Sequence, residues 1–167
     1  MLASVWLDLV FIQLFLIGIE TIHPMHGGPG YGAVLIYADY THSLVGMLAL
    51  STLLAAICFP FCGTRSAVVA GLVAGSHWLL DLIVHHADMP ILPGNLGNLP
   101  RLGFGIWRLP VVSAALEALL VLLGAGLYWR AARAVSIQAR RGTLRAAMVA
   151  ALIAACGLFI LYLDVSS

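Results

Sequence analysis

From Val111 to Trp129 the chain runs nineteen residues with a single charged side chain, Glu117. A helix of that length rises close to 30 Å, about the thickness of a bilayer's hydrocarbon core. Four more segments share this character, at about 3–22, 41–59, 66–88 and 144–163. Pro60 is expected to stop the second, because proline cannot continue a helix ladder, and a tight Cys62-Gly-Thr-Arg65 turn leads into the third. Two long segments rich in glycine and proline, 23–40 and 87–110, read as irregular, with a short interfacial piece in the first. The composition agrees: 62% of the 167 residues are hydrophobic and 9% charged, against about 25% charged in an ordinary soluble domain. The expectation is an all-alpha polytopic membrane protein, a single transmembrane domain over 1–167 built as a bundle of about five helices.

Charge sets the expected orientation. Arg130, Arg133, Arg140, Arg141 and Arg145 cluster between the last two apolar segments, and clustered arginine favours the cytoplasmic side. Counting back puts Arg65 and the N-terminus in the cytoplasm and the C-terminus, 23–40 and 87–110 on the periplasmic side of an inner membrane. The first segment has no basic stretch before it and no convincing cleavage site after it, so it reads as a retained helix. With no lysine and a net charge of +1, the chain lacks the phosphate-facing cations that nucleic-acid binding needs. Cys58, Cys62 and Cys156 sit in apolar surroundings at spacings that suit neither a disulfide framework nor a metal knuckle.

In this arrangement the polar residues gather on one side. All six histidines fall in the outer half, with Glu20, Asp39, Asp81, Asp88 and Glu117. Asp164 lies outside at the chain end, and Asp8 stands alone at the inner end. Within "SHWLLDLIVHHADMP" (Ser76–Pro90), His77, Asp81 and His85 are four residues apart, so they stand one turn above another on one helix face. Asp88 returns to that face if the helix lasts that far, while His86 points away. An imidazole and a carboxylate on one face make half of a metal site, and neighbouring helices must complete it. A carboxylate in a bilayer costs several kcal/mol unless it is paired, hydrated or bound to a cation. Asp81 and Glu117 should therefore face inward, toward histidine, protons or a metal. His86, His23 and His26 suit an interfacial or solvent-facing position, and Ser43 and Ser76 suit helix packing.

Several of these residues also carry a resemblance. "YTHSLVG" (Tyr40–Gly46) and "GSHWLLDLIVHHADMPILPG" (Gly75–Gly94) resemble the small bacterial inner-membrane metal-dependent hydrolase family, and more closely its relatives sometimes labelled permeases. Gly18-Ile19-Glu20 matches a "GIE" ending the first helix, and "LGFGIWR" (Leu102–Arg108) with Glu117 matches a later aromatic motif and helix glutamate. The likeness covers most of the chain up to about Trp129. Arg108 departs from it, standing where asparagine is usual, and His86 stands where arginine is frequent.

The resemblance implies hydrolysis at the expected metal site. A divalent ion, zinc by its imidazole content, would be held by His42, His77 and Asp81, with His85, Glu20 or Glu117 completing its shell. Glu117 or Glu20 would act as general base. A site opening to the outer leaflet implies a membrane lipid or lipid-linked substrate with a phosphoester or amide bond. Two other readings stand beside this one. The same residues in a homo-oligomer would suit an ion, proton or solute transporter, although 167 residues without an inverted repeat leave little room for alternating access. Histidines on separate helices would also suit haem or quinone binding.

Overall fold

Gly63 shapes the longest element. In the computed structural model, which describes residues 2–25, 33–136 and 142–166, helix α2 runs from Leu44 to Val84 and breaks once, at Gly63 (φ 74°, ψ 169°). That backbone region is open essentially to glycine alone. Pro60 stays inside the first arm, so the expected stop at proline falls three residues late: the glycine, not the proline, ends the ladder. The two arms fold back on each other. A Cβ at Gly71 would touch the Ser51 carbonyl and the Ala55 methyl, and one at Gly75 would meet Met47 and Ser51. Small residues thus let the arms approach closely.

The remaining elements are α1 (Trp6–Leu16), the strands β1 (Thr21–Pro24) and β2 (Val34–Tyr37), α3 (Pro110–Ser136) and α4 (Gly142–Ser166). Counting the arms of α2 separately, the described residues form five helical segments, as the apolar runs predicted. Helix α2 and the stretch Pro110–Arg133 of α3 are long and apolar enough to cross a membrane; the apolar stretches Leu2–Leu16 and Ala146–Tyr162 are shorter. Three expectations are corrected. The first segment is not helical over 3–22: α1 has 11 residues. The third does not reach 88, since α2 ends at Val84 and leaves His85 and Asp88 beyond it. The glycine-rich segment contributes β2, which pairs antiparallel with β1, Thr21 opposite Tyr37 and Pro24 opposite Val34. His26, Arg140 and Arg141, and the side chains of Arg145 and Asp164, lie outside the described residues.

The chain divides into two compact units. One holds α3 and α4, which touch closely enough that a Cβ at Gly157 would press on Val121. The other holds α1, the hairpin, α2 and the segment up to Arg108. Its core is Leu7, Met47, Trp78 and Met89. Trp6 ties α1 to the first arm of α2 by donating to the Leu50 carbonyl at 3.0 Å.

The segment after α2 is irregular, as its prolines predict, but it is firmly held. Leu44 and Val45 donate their amides to the Pro90 and Ile91 carbonyls. The Ser43 hydroxyl accepts from the Gly46 amide at 3.0 Å. Together these satisfy donors that the first turn of a helix leaves open. At the other end of α2, Phe104 and Gly105 donate to the Leu82 and His85 carbonyls. Gly103 (φ 145°) permits this, because a Cβ there would run into the His86 carbonyl. Arg101 closes the strap with Asp39, at 2.6 and 3.0 Å, and with the Asp88 carbonyl at 2.6 Å. The Asp39 carboxylate beside it raises the Arg101 guanidinium above its ordinary pKa.

Candidate metal centre

The folding back of α2 brings its start alongside its second arm. His42 lies just before the capping Ser43, and its carbonyl accepts from the Trp78 indole at 2.7 Å. Trp78 is buried in the core. The neighbouring His77 is thereby carried to His42, with the two rings 5.8 Å apart. Asp81 follows one turn later on the same face.

The fourth participant is Asp8, from the first turn of α1. Its Oδ1 lies 3.3 Å from His77 Nε2 and 3.6 Å from His42 Nε2. Asp81 Oδ2 lies 3.2 Å from His77 Nε2 and 3.3 Å from His42 Nε2. Each imidazole therefore faces both carboxylates. One ligand atom from each of Asp8, His42 and His77 falls within 4.8 Å of the others, a group that can hold a metal ion. The His42 side chain is 6% exposed and forms the floor, whereas the Asp8 side chain, 42% exposed, is the open edge. Asp8 was expected at the far end of a spanning helix; the structure corrects that, because α1 is short and begins level with the site.

Two features make this group more than a pair of buried ion pairs. Asp81 Oδ2 is buried with no hydrogen-bond partner of good geometry, and its near neighbours are the two ring nitrogens at 3.2 and 3.3 Å. An orphaned carboxylate oxygen is costly in such a place and is well matched to a cation. Nor is the His42 ring free to choose its proton. Its Nδ1 lies 2.9 Å from the Thr41 hydroxyl, which donates to Glu20 at 2.9–3.0 Å. Glu20 is 1% exposed and also accepts from the amides of Tyr40 and Thr41. It stands behind His42, occupied by these donors, and does not line the cavity; this corrects its expected placement as the base.

In front of the group is a cavity of about 260 Å³, lined by Asp8, Phe11, Ile36, His42, His77, Asp81, His85 and Trp107. His85 is thus at the cavity but is held differently from the other two histidines. Its Nδ1 lies 3.1 Å from Asp88 Oδ1, and its ring lies against Trp107 with centroids 4.3 Å apart. Asp88 is 2% exposed, and its other oxygen accepts from the Ile36 amide at 3.1 Å. His86, expected at the interface, is buried against the edge of Trp107. His23 is exposed, as expected, and bonds the Thr21 hydroxyl at 3.0 Å. Glu117 is half-buried on α3, in the other unit.

Of the predicted ligands, then, His42, His77 and Asp81 converge, and His85 joins them at the cavity wall. Sequence reasoning missed Asp8, Thr41 and Trp107. Asp8 carried a usable signal, since an acid in an apolar stretch needs a partner by the same logic that singled out Asp81. Comparison with protein-family models, with curated proteins and with solved structures finds no match for this chain.

Proposed function

We propose that the chain is a membrane-embedded metal-dependent hydrolase of the bacterial inner membrane. The observation that carries this reading is that ligand atoms of Asp8, His42 and His77 lie within 4.8 Å of one another beside a cavity, with the buried Asp81 Oδ2 3.2–3.3 Å from both imidazoles. Two imidazoles and two carboxylates form a borderline-to-hard donor set that suits zinc or another divalent ion. Such an ion supplies Lewis acidity toward water and toward a substrate oxygen.

The chain's own residues divide the remaining work. The four ligands hold the ion, and Phe11, Ile36 and Trp107 give the cavity its apolar side. His85 is the proton carrier. With Nδ1–H donated to Asp88, its Nε2 keeps a lone pair that can take a proton from water and return it to a leaving group. The base role expected of Glu20 or Glu117 thus passes to His85. The apolar helices support multi-pass insertion, and the arginines clustered from 130 to 145 support a cytoplasmic side for that stretch and a periplasmic C-terminus. A cavity with one apolar wall and one polar wall, in such a protein, suits the phosphoester or amide of a lipid or lipid-linked substrate. The motif resemblance points to the same chemistry.

Elemental analysis of the purified full chain tests the core of this reading. About one divalent ion per chain is expected, as for a mononuclear site. A metal-free protein whose His77→Ala and Asp81→Ala variants behave like the wild type would overturn it, and a Soret band would replace it with haem binding.

A further inference from the structure

Every histidine has two ring nitrogens, and a metal can use Nε2 only if the proton sits on Nδ1. For His42 the choice is made two residues away from the cavity. Glu20, as a carboxylate, has no proton to give, and it accepts three bonds through Oε1: from the Tyr40 amide at 2.9 Å, the Thr41 amide at 2.8 Å and the Thr41 hydroxyl at 3.0 Å. The hydroxyl also reaches Oε2 at 2.9 Å. A hydroxyl has one proton. Once it is donated to Glu20, the oxygen facing His42 Nδ1 at 2.9 Å can only accept. The ring must therefore carry a proton on Nδ1, so Nε2, between Asp8 and Asp81, is the nitrogen that a cation can take in exchange for a proton.

We propose that Glu20 and Thr41 are positioning residues that lock His42 in the metal-binding tautomer. The inference rests on the metal reading above and assigns the glutamate a task distinct from catalysis. Metal-bound histidines usually lean on a carboxylate or carbonyl directly; here a hydroxyl stands between, and it fixes direction as well as orientation. Three features point the same way. The relay is buried from end to end, with Glu20 and Thr41 each 1% exposed and His42 5% exposed. The two backbone bonds to Glu20 hold Tyr40 and Thr41 at the approach to the Ser43 cap, so the ring is set by the same contacts that start α2. The lock also works at a fixed geometry, since the His42 carbonyl is held from the other side by Trp78.

Substitution can reverse the relay as well as remove it. In Glu20→Gln the side-chain carbonyl still accepts from the two amides, but the new NH₂ donates to Thr41. The hydroxyl then turns its proton toward His42 Nδ1, and the ring proton moves to Nε2, where the metal should bind. Thr41→Val deletes the hydroxyl at nearly constant volume, and Thr41→Ser restores it.

The test uses the full chain in nanodiscs, with Co²⁺ as the probe, together with ¹⁵N-histidine spectra of the metal-free protein. Thr41→Val and Glu20→Gln should weaken Co²⁺ binding by roughly 10–100-fold, the usual worth of a ligand's outer partner. Thr41→Ser should bind like the wild type, and Glu20→Gln should shift the His42 ring to the Nε2–H signature. Wild-type affinity in both weakening variants with an unchanged His42 tautomer would overturn the relay and leave the metal site standing. Absence of Co²⁺ binding in the wild type would overturn the metal reading and this inference together. If Thr41→Val fails to fold, Glu20→Gln, which keeps the volume and both backbone bonds, decides the matter alone.

Discussion

His42 and His85 line the same cavity, are both buried, and both have Nδ1 engaged by a polar partner. They differ in what faces the rest of the ring. His42 Nε2 stands between two carboxylates, at 3.6 and 3.3 Å; His85 lies against the Trp107 ring, and among the described residues its one ion-pair partner is Asp88 on the Nδ1 side. The first surrounding can hold a cation. The second leaves the side of the ring away from Asp88 without a carboxylate, which suits the proton-carrier role proposed above. Residue type and spacing alone do not separate these roles, because four-residue steps make His77, Asp81 and His85 look equivalent. The end of α2 at Val84 separates them, since it turns His85 out of the helix and toward Asp88.

The comparison breaks most readily on metal content. His77→Ala and Asp81→Ala should lose bound metal altogether, well beyond the roughly 10–100-fold expected for an outer partner. Asp8→Asn should lose it too. His85→Ala should keep it. If His85→Ala loses metal as completely as His77→Ala, the two histidines share one role and the distinction falls. Acidification gives a companion result: metal is released as pH falls, because imidazole nitrogen must be unprotonated to bind it.

Turnover sharpens the other half. With a chromogenic phosphodiester or a lipid phosphoester as the probe, His85→Ala and Asp88→Asn should slow hydrolysis by roughly 10²–10⁴-fold, the usual range for a positioned acid–base group. Metal content should stay that of the wild type. Asp88→Asn is the more telling variant, because it leaves the ring in place but offers one acceptor where Asp88 serves both His85 Nδ1 and the Ile36 amide. Unaltered turnover in Asp88→Asn would mean that the pair serves only to close the fold.

Much of this was legible in the sequence where one helix supplies both partners. His77 and Asp81 are one turn apart, and His42 opens the preceding arm, so their meeting required only that the arms fold back. Asp8 was legible only as an acid in need of a partner, because assigning the first segment a full span put it one membrane thickness from His42 and His77; α1 with 11 residues rises only about 16 Å. Glu20 was expected to complete the metal shell or act as base, but its partners are two backbone amides and a hydroxyl, which no spacing rule announces. The hairpin was missed because Thr21–Pro24 and Val34–Tyr37 have four residues each, too few for alternation to register against a glycine-rich background. Asp88 looked like a continuation of the ladder only because nothing before Pro90 marks the helix end at Val84.

The smallest expected effect falls on the element that brings the histidines together. Gly63 holds a conformation that costs any other residue about 1–3 kcal/mol, and a Cβ there meets nothing within 4 Å. Gly63→Ala should therefore act through backbone strain alone, lowering thermal stability by that amount without a steric clash. Pro60 makes a useful contrast, since Pro60→Ala leaves the break in place and should be neutral or slightly stabilising, by up to about 3 kcal/mol if the proline strains the first arm. Thermal unfolding of both variants in the same detergent checks the pair. Strain relieved at Gly63→Ala by straightening α2 would draw His42 away from His77, and metal affinity would then fall with stability. Strain borne in place would cost stability and leave the site intact. A stable Gly63→Ala with normal metal binding would show that the turn is fixed by the contacts of Gly71 and Gly75 between the arms, and not by the glycine at its apex.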